Sequence, residues 1–334
     1  MRRPRNHLTR MRFQSAATLA IVVATLACST AESARSQGTD WTETWVGSEW
    51  ELYARALTLR GAIGGEPWSI RPFAPPVTRA WSATAADHPW ASRLAASADS
   101  AKSFMLLRPS ISSSYNSGFA WGMNDGPVWQ GRGANAWVTA GFIFRAGPLS
   151  IRAEPLFDYG ENRAFDLEPT PASASRFADD MRPFTIDQPQ RLGDGSVRIV
   201  NPGQSYVRLD VRGLAAGFST EDMFWGPGVR NAILFDANAG GFPHVFLGTT
   251  HVVKTPIGGF SAQLVYGRLG ESSWAPRSSS TARFGAGAIA VLTPAPTIEV
   301  GVARFYHREW TGQFGGSEIA APFGSFFKIG IRVL

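Results

Sequence analysis

The feature that most constrains the fold is an alternation of apolar and polar residues with a period of two. It is clearest in segment 206–212. There Val207, Leu209 and Val211 fall on one face of a strand, and three charged residues fall on the other. This pattern predicts strands with one apolar and one polar face. Further candidate strands lie near 104–116, 133–145, 149–154, 244–254, 260–266, 281–293, 296–307 and 324–334.

The lengths of these segments indicate a membrane barrel. Most have about ten residues or more, which a tilted membrane-spanning strand needs, whereas strands of soluble sandwiches have about five or six. Short connections at 146–148 and 255–259 contrast with a long polar one at 162–203. Because lipid cannot satisfy an open sheet edge, the sequence predicts an all-β fold, an antiparallel transmembrane outer-membrane β-barrel. A soluble β-sandwich is the alternative.

The N-terminal region predicts export from a Gram-negative cytoplasm to the outer membrane. Arginines crowd residues 2–12, and the apolar run at 16–27 has signal-peptide length but is too short to span a bilayer. Cleavage between about Ala27 and Gln37 is expected, and lipid attachment at Cys28 is the alternative. Since Cys28 is the only cysteine, neither disulfides nor thiol chemistry are predicted for the mature chain.

The mature chain changes character near residue 103. Apolar residues three and four apart at 51–57 and 90–95 predict helices. Four prolines between them are expected to break any regular element. We therefore predict a signal peptide at 1–37, a short periplasmic helical segment at 38–103 and the outer-membrane β-barrel at 104–334.

The sequence contains no motif typical of an active site or metal site, and we predict no catalytic residues, metal or cofactor. The sequence contains no HExxH, GxSxG or cysteine-based metal pattern. His244 and His251 are seven residues apart, on opposite faces of one strand. The adjacent acids Glu221 and Asp222 are expected to form only a solvated turn. The net charge of +6 is spread without a basic block, so no nucleic-acid partner is predicted.

The most distinctive segment is 221–247. Two aromatic residues precede a Gly-Pro-Gly turn whose glycines can adopt positive φ, and the next strand has a proline near its start, where it costs no ladder hydrogen bond. We predict a compact excursion that folds into the lumen or caps a barrel mouth. Its marked residues are Phe224, Trp225, Gly226, Pro227, Gly228, Asn231, Asn238, Phe242, Pro243 and His244.

In the order and spacing of these residues the chain resembles the capsule assembly proteins of the Wzi family. The similarity extends to 206–219 and, more weakly, to 70–73, 129–135 and 300–304. It implies an outer-membrane β-barrel lectin with a small periplasmic helical element, no catalysis and no required cofactor. Family barrels have more strands than the nine or ten predicted here. Either further strands lie within 162–203 and 308–324, or the barrel is a shortened one.

The resemblance implies binding of capsular polysaccharide at the cell surface and organisation of the capsule there. Candidate ligand-binding residues near predicted loops are Trp121, Trp129 and Trp274, with Arg277 and Arg308 as polar partners. The alternative for each tryptophan is an interfacial aromatic girdle.

The predicted function is a non-enzymatic barrel that binds capsular or exopolysaccharide and helps to assemble or anchor the capsule. Its predicted partners are this polysaccharide and outer-membrane lipid, and a monomer is expected. A general outer-membrane channel is one alternative, since charged inward faces suit a wet lumen. A barrel enzyme that modifies lipid or polysaccharide is the other.

Overall fold

A computed structural model describes part of the chain. The described residues are 49–63, 67–74, 102–185, 187–229, 231–232, 234–272, 274, 282–295, 298–310 and 312–323. The predicted signal peptide at 1–37, the predicted helix at 90–95, Arg277 and the predicted last strand at 324–334 lie outside these residues.

The described residues form an all-β protein with very little helix. Twelve strands make one antiparallel sheet, and two short strands, β1 and β9, pair separately. In chain order the elements are α1 (Glu49–Leu59), β1 (Ile70–Arg71), β2 (Lys102–Asn116), β3 (Gly133–Ala146), β4 (Leu149–Ala153), β5 (Leu156–Gly160), β6 (Val197–Asn201), β7 (Tyr206–Val211), β8 (Leu214–Ser219), β9 (Phe224–Trp225), β10 (His244–Thr249), β11 (Val253–Thr255), β12 (Gly258–Leu269), β13 (Arg283–Ala295), β14 (Ile298–Glu309) and α2 (Gly316–Ala320).

The large sheet is an antiparallel meander once short strands that continue one another are counted as one position. Three pairs of short strands continue one another end to end: β4 with β5 beside β3, β6 with β7 beside them, and β10 with β11 beside β12. Counted this way, the described residues contain nine strand positions. Eight of them include a strand predicted from the sequence, the position of β8 was not predicted, and the predicted strand at 324–334 lies outside the described residues. Within the described residues, β2 and β14 each pair on one side only.

The two ends of the strands are connected differently. Short turns at 147–148, 212–213 and 256–257 lie along one edge, which we call the short-turn edge. Connections 117–132, 161–196, 220–243 and 270–282 lie along the opposite, long-loop edge.

The two faces of the sheet also differ. We call the face that carries Val207, Leu209 and Val211 the outer face and the opposite one the inner face. Val207, Leu209 and Val211 are 46%, 49% and 52% exposed. On the inner face, the charged side chains of Arg152 and Glu154 are buried. The alternation predicted for 206–212 is therefore confirmed, but it is inverted relative to a soluble sheet, which faces the core with its apolar side.

One expectation about local structure is confirmed, and two others change. The helix predicted at 51–57 is present as α1, and its Ala54 and Leu57 lie in a small apolar core. The expectation that prolines break every element after it is wrong at β1, because Pro72 follows the strand and removes no hydrogen bond within it. Segment 162–203 does contain a strand, β6, but it continues β7 and adds no further position to the sheet.

Candidate functional site

The 220–243 loop leaves the long-loop edge and packs on the inner face. Trp225 is fully buried there, and its indole Nε1 donates a hydrogen bond to Gln263 Oε1 at 3.0 Å. A Cβ at Gly287 would lie 2.9 Å from the Trp225 ring. The indole therefore occupies a position that a side chain at residue 287 would crowd. The apolar cluster around Trp225 consists of Ala215, Met223, Phe246, Val265, Ile289 and Val291.

An aromatic chain extends this cluster toward β14. The Phe235 ring stands edge-on to Trp225 with centroids 4.9 Å apart and edge-on to Phe305 at 4.8 Å. Phe242 contacts Phe235 and His244 at centroid distances of 6.0 and 5.2 Å. Aromatic pairs in these orientations add stability beyond the burial of their area. Residues 222–226 and the rings of Phe235 and Phe242 therefore belong to the packed interior, whereas Val229 and Leu234 of the same loop are 48% and 39% exposed.

The N-terminal segment 67–74 holds the same loop from the other side. The Trp68 backbone N–H and the Ser69 hydroxyl each donate to the Glu299 carboxylate at 2.8 Å. Arg71 is buried, forms an ion pair with Glu51, and lies over the Phe224 ring at 4.8 Å. Because Glu299 lies at the short-turn end of β14, segments from both edges meet on the inner face.

The glycines of the motif have two different roles. Gly226 adopts a φ of +131°, which side chains other than hydrogen rarely allow. Gly228 does not adopt positive φ; a Cβ there would lie 1.9 Å from the Asn231 carbonyl oxygen. At the far end of the loop, Asn238 Oδ1 accepts a hydrogen bond from the Asn124 N–H at 2.9 Å. The Pro243 carbonyl accepts one from the Arg268 N–H at 3.0 Å.

Next to the apolar cluster, the inner face carries ion pairs. Arg152 pairs with Glu154, and Arg208 contacts both carboxylate oxygens of Asp210 at 2.9–3.0 Å. The Thr250 hydroxyl donates to Asp210 at 2.8 Å. Each charge is thus compensated by a neighbour, as burial requires.

The prediction of a solvated turn at Glu221 and Asp222 is wrong. Asp222 is buried, accepting hydrogen bonds from Gln204 Nε2 at 2.8 Å and from the Gly241 N–H at 2.5 Å. Burial raises the pKa of Asp222 to about 6. Burial also raises the pKa of Glu221, which accepts from Ser219 Oγ at 3.0 Å. Asp222 lies near the start of the 220–243 loop and Gly241 near its end, so their hydrogen bond joins the two ends of the loop.

The predicted ligand-binding residues are dispersed. Trp121 lies in the 117–132 loop and is 64% exposed. Trp129 is fixed by hydrogen bonds from its N–H to Asp158 at 2.8 Å and from its indole to Asn162 at 3.2 Å. Trp274 stands edge-on to Phe177 with centroids 4.7 Å apart.

Two of these tryptophans, Trp129 and Trp274, therefore contact the 161–196 loop, and Trp121 does not belong to that contact. Arg308 forms an ion pair with the buried Glu318 of α2.

Residues of the 161–196 loop line an open cleft that sequence reasoning missed. Its volume is about 470 Å³, within the usual range of ligand pockets. The lining residues are 164–170, Arg176, Arg191 and Asp194. The only signal in the sequence was the length and polarity of the connection, since no periodic pattern marks an irregular loop.

Among the described residues, no group of three or more His, Cys, Asp or Glu side chains is placed to hold a metal ion. Within the same residues, no helix is long and apolar enough to cross a membrane. The fold and the inner-face loop define an all-β protein built on one large antiparallel sheet. No family model matches the chain, and no curated protein or solved structure matches it either.

Proposed function

We propose that the protein is an outer-membrane β-barrel with a filled interior that binds capsular or extracellular polysaccharide at its long-loop edge. In this role it assembles or anchors the capsule at the cell surface and catalyses no reaction. The proposal goes beyond the antiparallel sheet in three steps: membrane insertion, a blocked interior and a ligand at the surface.

The outer face supports membrane insertion. Apolar side chains such as Val245, Leu247 and Val300 are about half exposed there, while charged side chains such as those of Arg152 and Glu154 are buried on the inner face. Apolar-out and polar-in alternation, with short turns at one edge and long loops at the other, is typical of outer-membrane barrels. Strands β2, β3 and β12–β14 have 12 to 15 residues, enough to cross the hydrocarbon layer at a tilt.

The packing of the 220–243 loop is the observation that carries the proposed role. A general channel needs a continuous water-filled lumen. Here Trp225 is fully buried against the inner face, and segment 67–74 is hydrogen-bonded to Glu299 at the short-turn end of β14. A barrel with this interior favours a binding role at the surface over bulk permeation, and the Wzi-like motif coincides with the filling segment.

The long-loop edge supplies surface for a polysaccharide. Trp121 is exposed there, and aromatic faces bind the C–H-rich sides of sugar rings while polar groups bind the hydroxyls. The cleft in the 161–196 loop lies along the same edge. Both features are on the side that faces the cell exterior in barrels of this kind.

Deletion of the gene in capsulated cells tests the proposal. We expect polysaccharide to leave the cell surface and accumulate in the medium, at an unchanged total amount, and the wild-type gene to restore retention. Retention that is unchanged by the deletion would contradict the proposed role.

Conductance tests the filled interior independently. Purified wild-type protein in planar bilayers is expected to show no steady conductance. A stable open current from the unaltered protein would favour the channel alternative.

A further inference from the structure

We infer that the cleft of the 161–196 loop is the saccharide-binding site and that it selects an uncharged sugar unit over an acidic one. This inference rests on the proposed polysaccharide binding and assigns it a location and a ligand class. None of the tryptophans proposed from the sequence lines this cleft.

The cleft has a built frame. The Gln190 side chain accepts from the Glu168 N–H at 2.9 Å and donates to the carbonyls of Glu168 and Ala178 at 3.2 and 2.9 Å. Buried Asn162 donates through Nδ2 to the carbonyls of Leu192 and Gly193 at 3.1 Å. Two amide side chains thus fix the two limbs of a long loop, so the cleft exists before a ligand enters.

Arginine is held at the wall of the cleft. Arg191 is 4% exposed and donates to the carbonyls of Asn162 and Asp194 at 3.0 Å each. Its Nε finds no hydrogen-bond acceptor among the described residues. Because the hydrogen bonds to these two carbonyls hold the guanidinium in place, Arg191 is a fixed part of the wall of the cleft.

The charges of the lining indicate the ligand class. Asp194 compensates both Arg176 and Arg191 by ion pairs. The carboxylates of Asp166 and Glu168 also line the cleft, and within the described residues neither forms an ion pair or side-chain hydrogen bond. Free carboxylates accept hydrogen bonds from sugar hydroxyls but repel uronate or sulfate groups.

The whole loop has the same bias toward negative charge. Its seven carboxylates outnumber its four arginines. The carboxylates are Glu161, Asp166, Glu168, Asp179, Asp180, Asp187 and Asp194, and the arginines are Arg163, Arg176, Arg182 and Arg191. An acidic chain therefore meets an unfavourable field before it reaches the cleft.

A matched pair of tryptophan substitutions tests the location. Ala164→Trp puts an indole into the cleft, whereas Ala172→Trp adds the same ring at an exposed position of the same loop that does not line the cleft. The probe is extracellular polysaccharide from the producing cells, separated by anion exchange into neutral and acidic fractions and labelled with a fluorophore.

We expect the full-length protein in detergent to bind the neutral fraction, Ala164→Trp to weaken this binding about tenfold or more, and Ala172→Trp to change it less than about twofold. The acidic fraction is expected to bind at least about tenfold more weakly, and Asp166→Asn with Glu168→Gln is expected to narrow this gap. The variants are compared at equal folded fraction, checked by heat-modifiable mobility on gels.

The outcomes separate the two proposals. If the unaltered protein binds neither fraction, the proposed function fails and the site falls with it. If it binds and Ala164→Trp binds equally well, polysaccharide binding stands and the location is wrong. Tighter binding of the acidic fraction by the unaltered protein would overturn the ligand class.

Discussion

On the inner face of the sheet, β8, β10, β12 and β13 present apolar side chains, whereas β4 and β7 present ion pairs. The 220–243 loop contacts both regions. Its Trp225 enters the apolar region, and its Glu221 lies close enough to Arg152 and Arg208 for their charges to favour its ionised form. One loop is thus held by two kinds of interaction whose energies behave differently.

The two regions differ in how the stability of the protein changes when a side chain is removed. In the apolar region each buried group contributes its own transfer free energy, and a deletion leaves a cavity. In the charged region the attraction mainly offsets the cost of desolvation, so a pair contributes little in total, but either member alone is costly. We therefore expect single substitutions to lower the free energy of unfolding in both regions. Replacement of both members of an ion pair by apolar residues is expected to restore most of it in the charged region.

Trp225→Ala is expected to give the largest effect. Removal of a fully buried indole should lower the free energy of unfolding by about 3–5 kcal/mol and release the 220–243 loop. Urea titration of the protein folded in detergent measures the loss. Trp121→Ala, the same change at an exposed position, is expected to stay within about 0.5 kcal/mol. Equal losses in the two variants would contradict the role of Trp225.

Arg152→Met tests the charged region. It leaves buried Glu154 without its ion-pair partner, which should cost about 3–5 kcal/mol, whereas Arg152→Met with Glu154→Leu should recover most of the loss. The exposed pair is the control: Arg163→Met removes the ion pair with Glu161 and should leave the urea midpoint unchanged. The single variant Glu154→Leu completes the comparison. If the double variant lost as much free energy of unfolding as Arg152→Met and Glu154→Leu together, the two charges would not compensate each other as described.

Much of the large sheet could be predicted from sequence because its strands repeat a two-residue period over many residues. The β1–β9 pairing could not, because two-residue strands carry no period and their partners are more than 150 residues apart in sequence. The burial of Asp222 was missed for a similar reason. Its donors, Gln204 and Gly241, are brought to it by the return of the loop, and adjacent acids alone give no sign of them.

The candidate site was predictable only in part. The sequence placed tryptophans in long connections, and the structure agrees for Trp121, Trp129 and Trp274. It gave no indication of the cleft, since an irregular loop is shaped by individual side chains such as Asn162 and Gln190 rather than by a repeating pattern.

The pH dependence of the loop contact is expected to be intermediate in size. The pKa of Asp222 is raised from 3.8 to about 6 by burial, so the folded state binds the proton more tightly than the unfolded state. Stability should therefore fall as pH rises from about 4 to 6, by up to about 3 kcal/mol from this group. Glu221 acts in the same direction.

Asp222→Asn isolates this contribution. The difference in free energy of unfolding between variant and wild type, from urea titrations at several pH values, should shift in favour of the variant between pH 4 and 6.5. A difference that is independent of pH would mean that Asp222 does not titrate in this range.

The smallest effect is expected for an ion pair outside both regions. Arg176 and Asp194 form an ion pair with both side chains about two-thirds exposed, so Arg176→Ala should lower the free energy of unfolding by less than about 1 kcal/mol. Arg191 pairs with the same Asp194 but is buried and hydrogen-bonded to two carbonyls, and Arg191→Ala should cost more. Urea titration of the two variants compares one carboxylate with an exposed and a buried partner. Equal losses would show that burial is not what separates costly ion pairs from inconsequential ones in this protein.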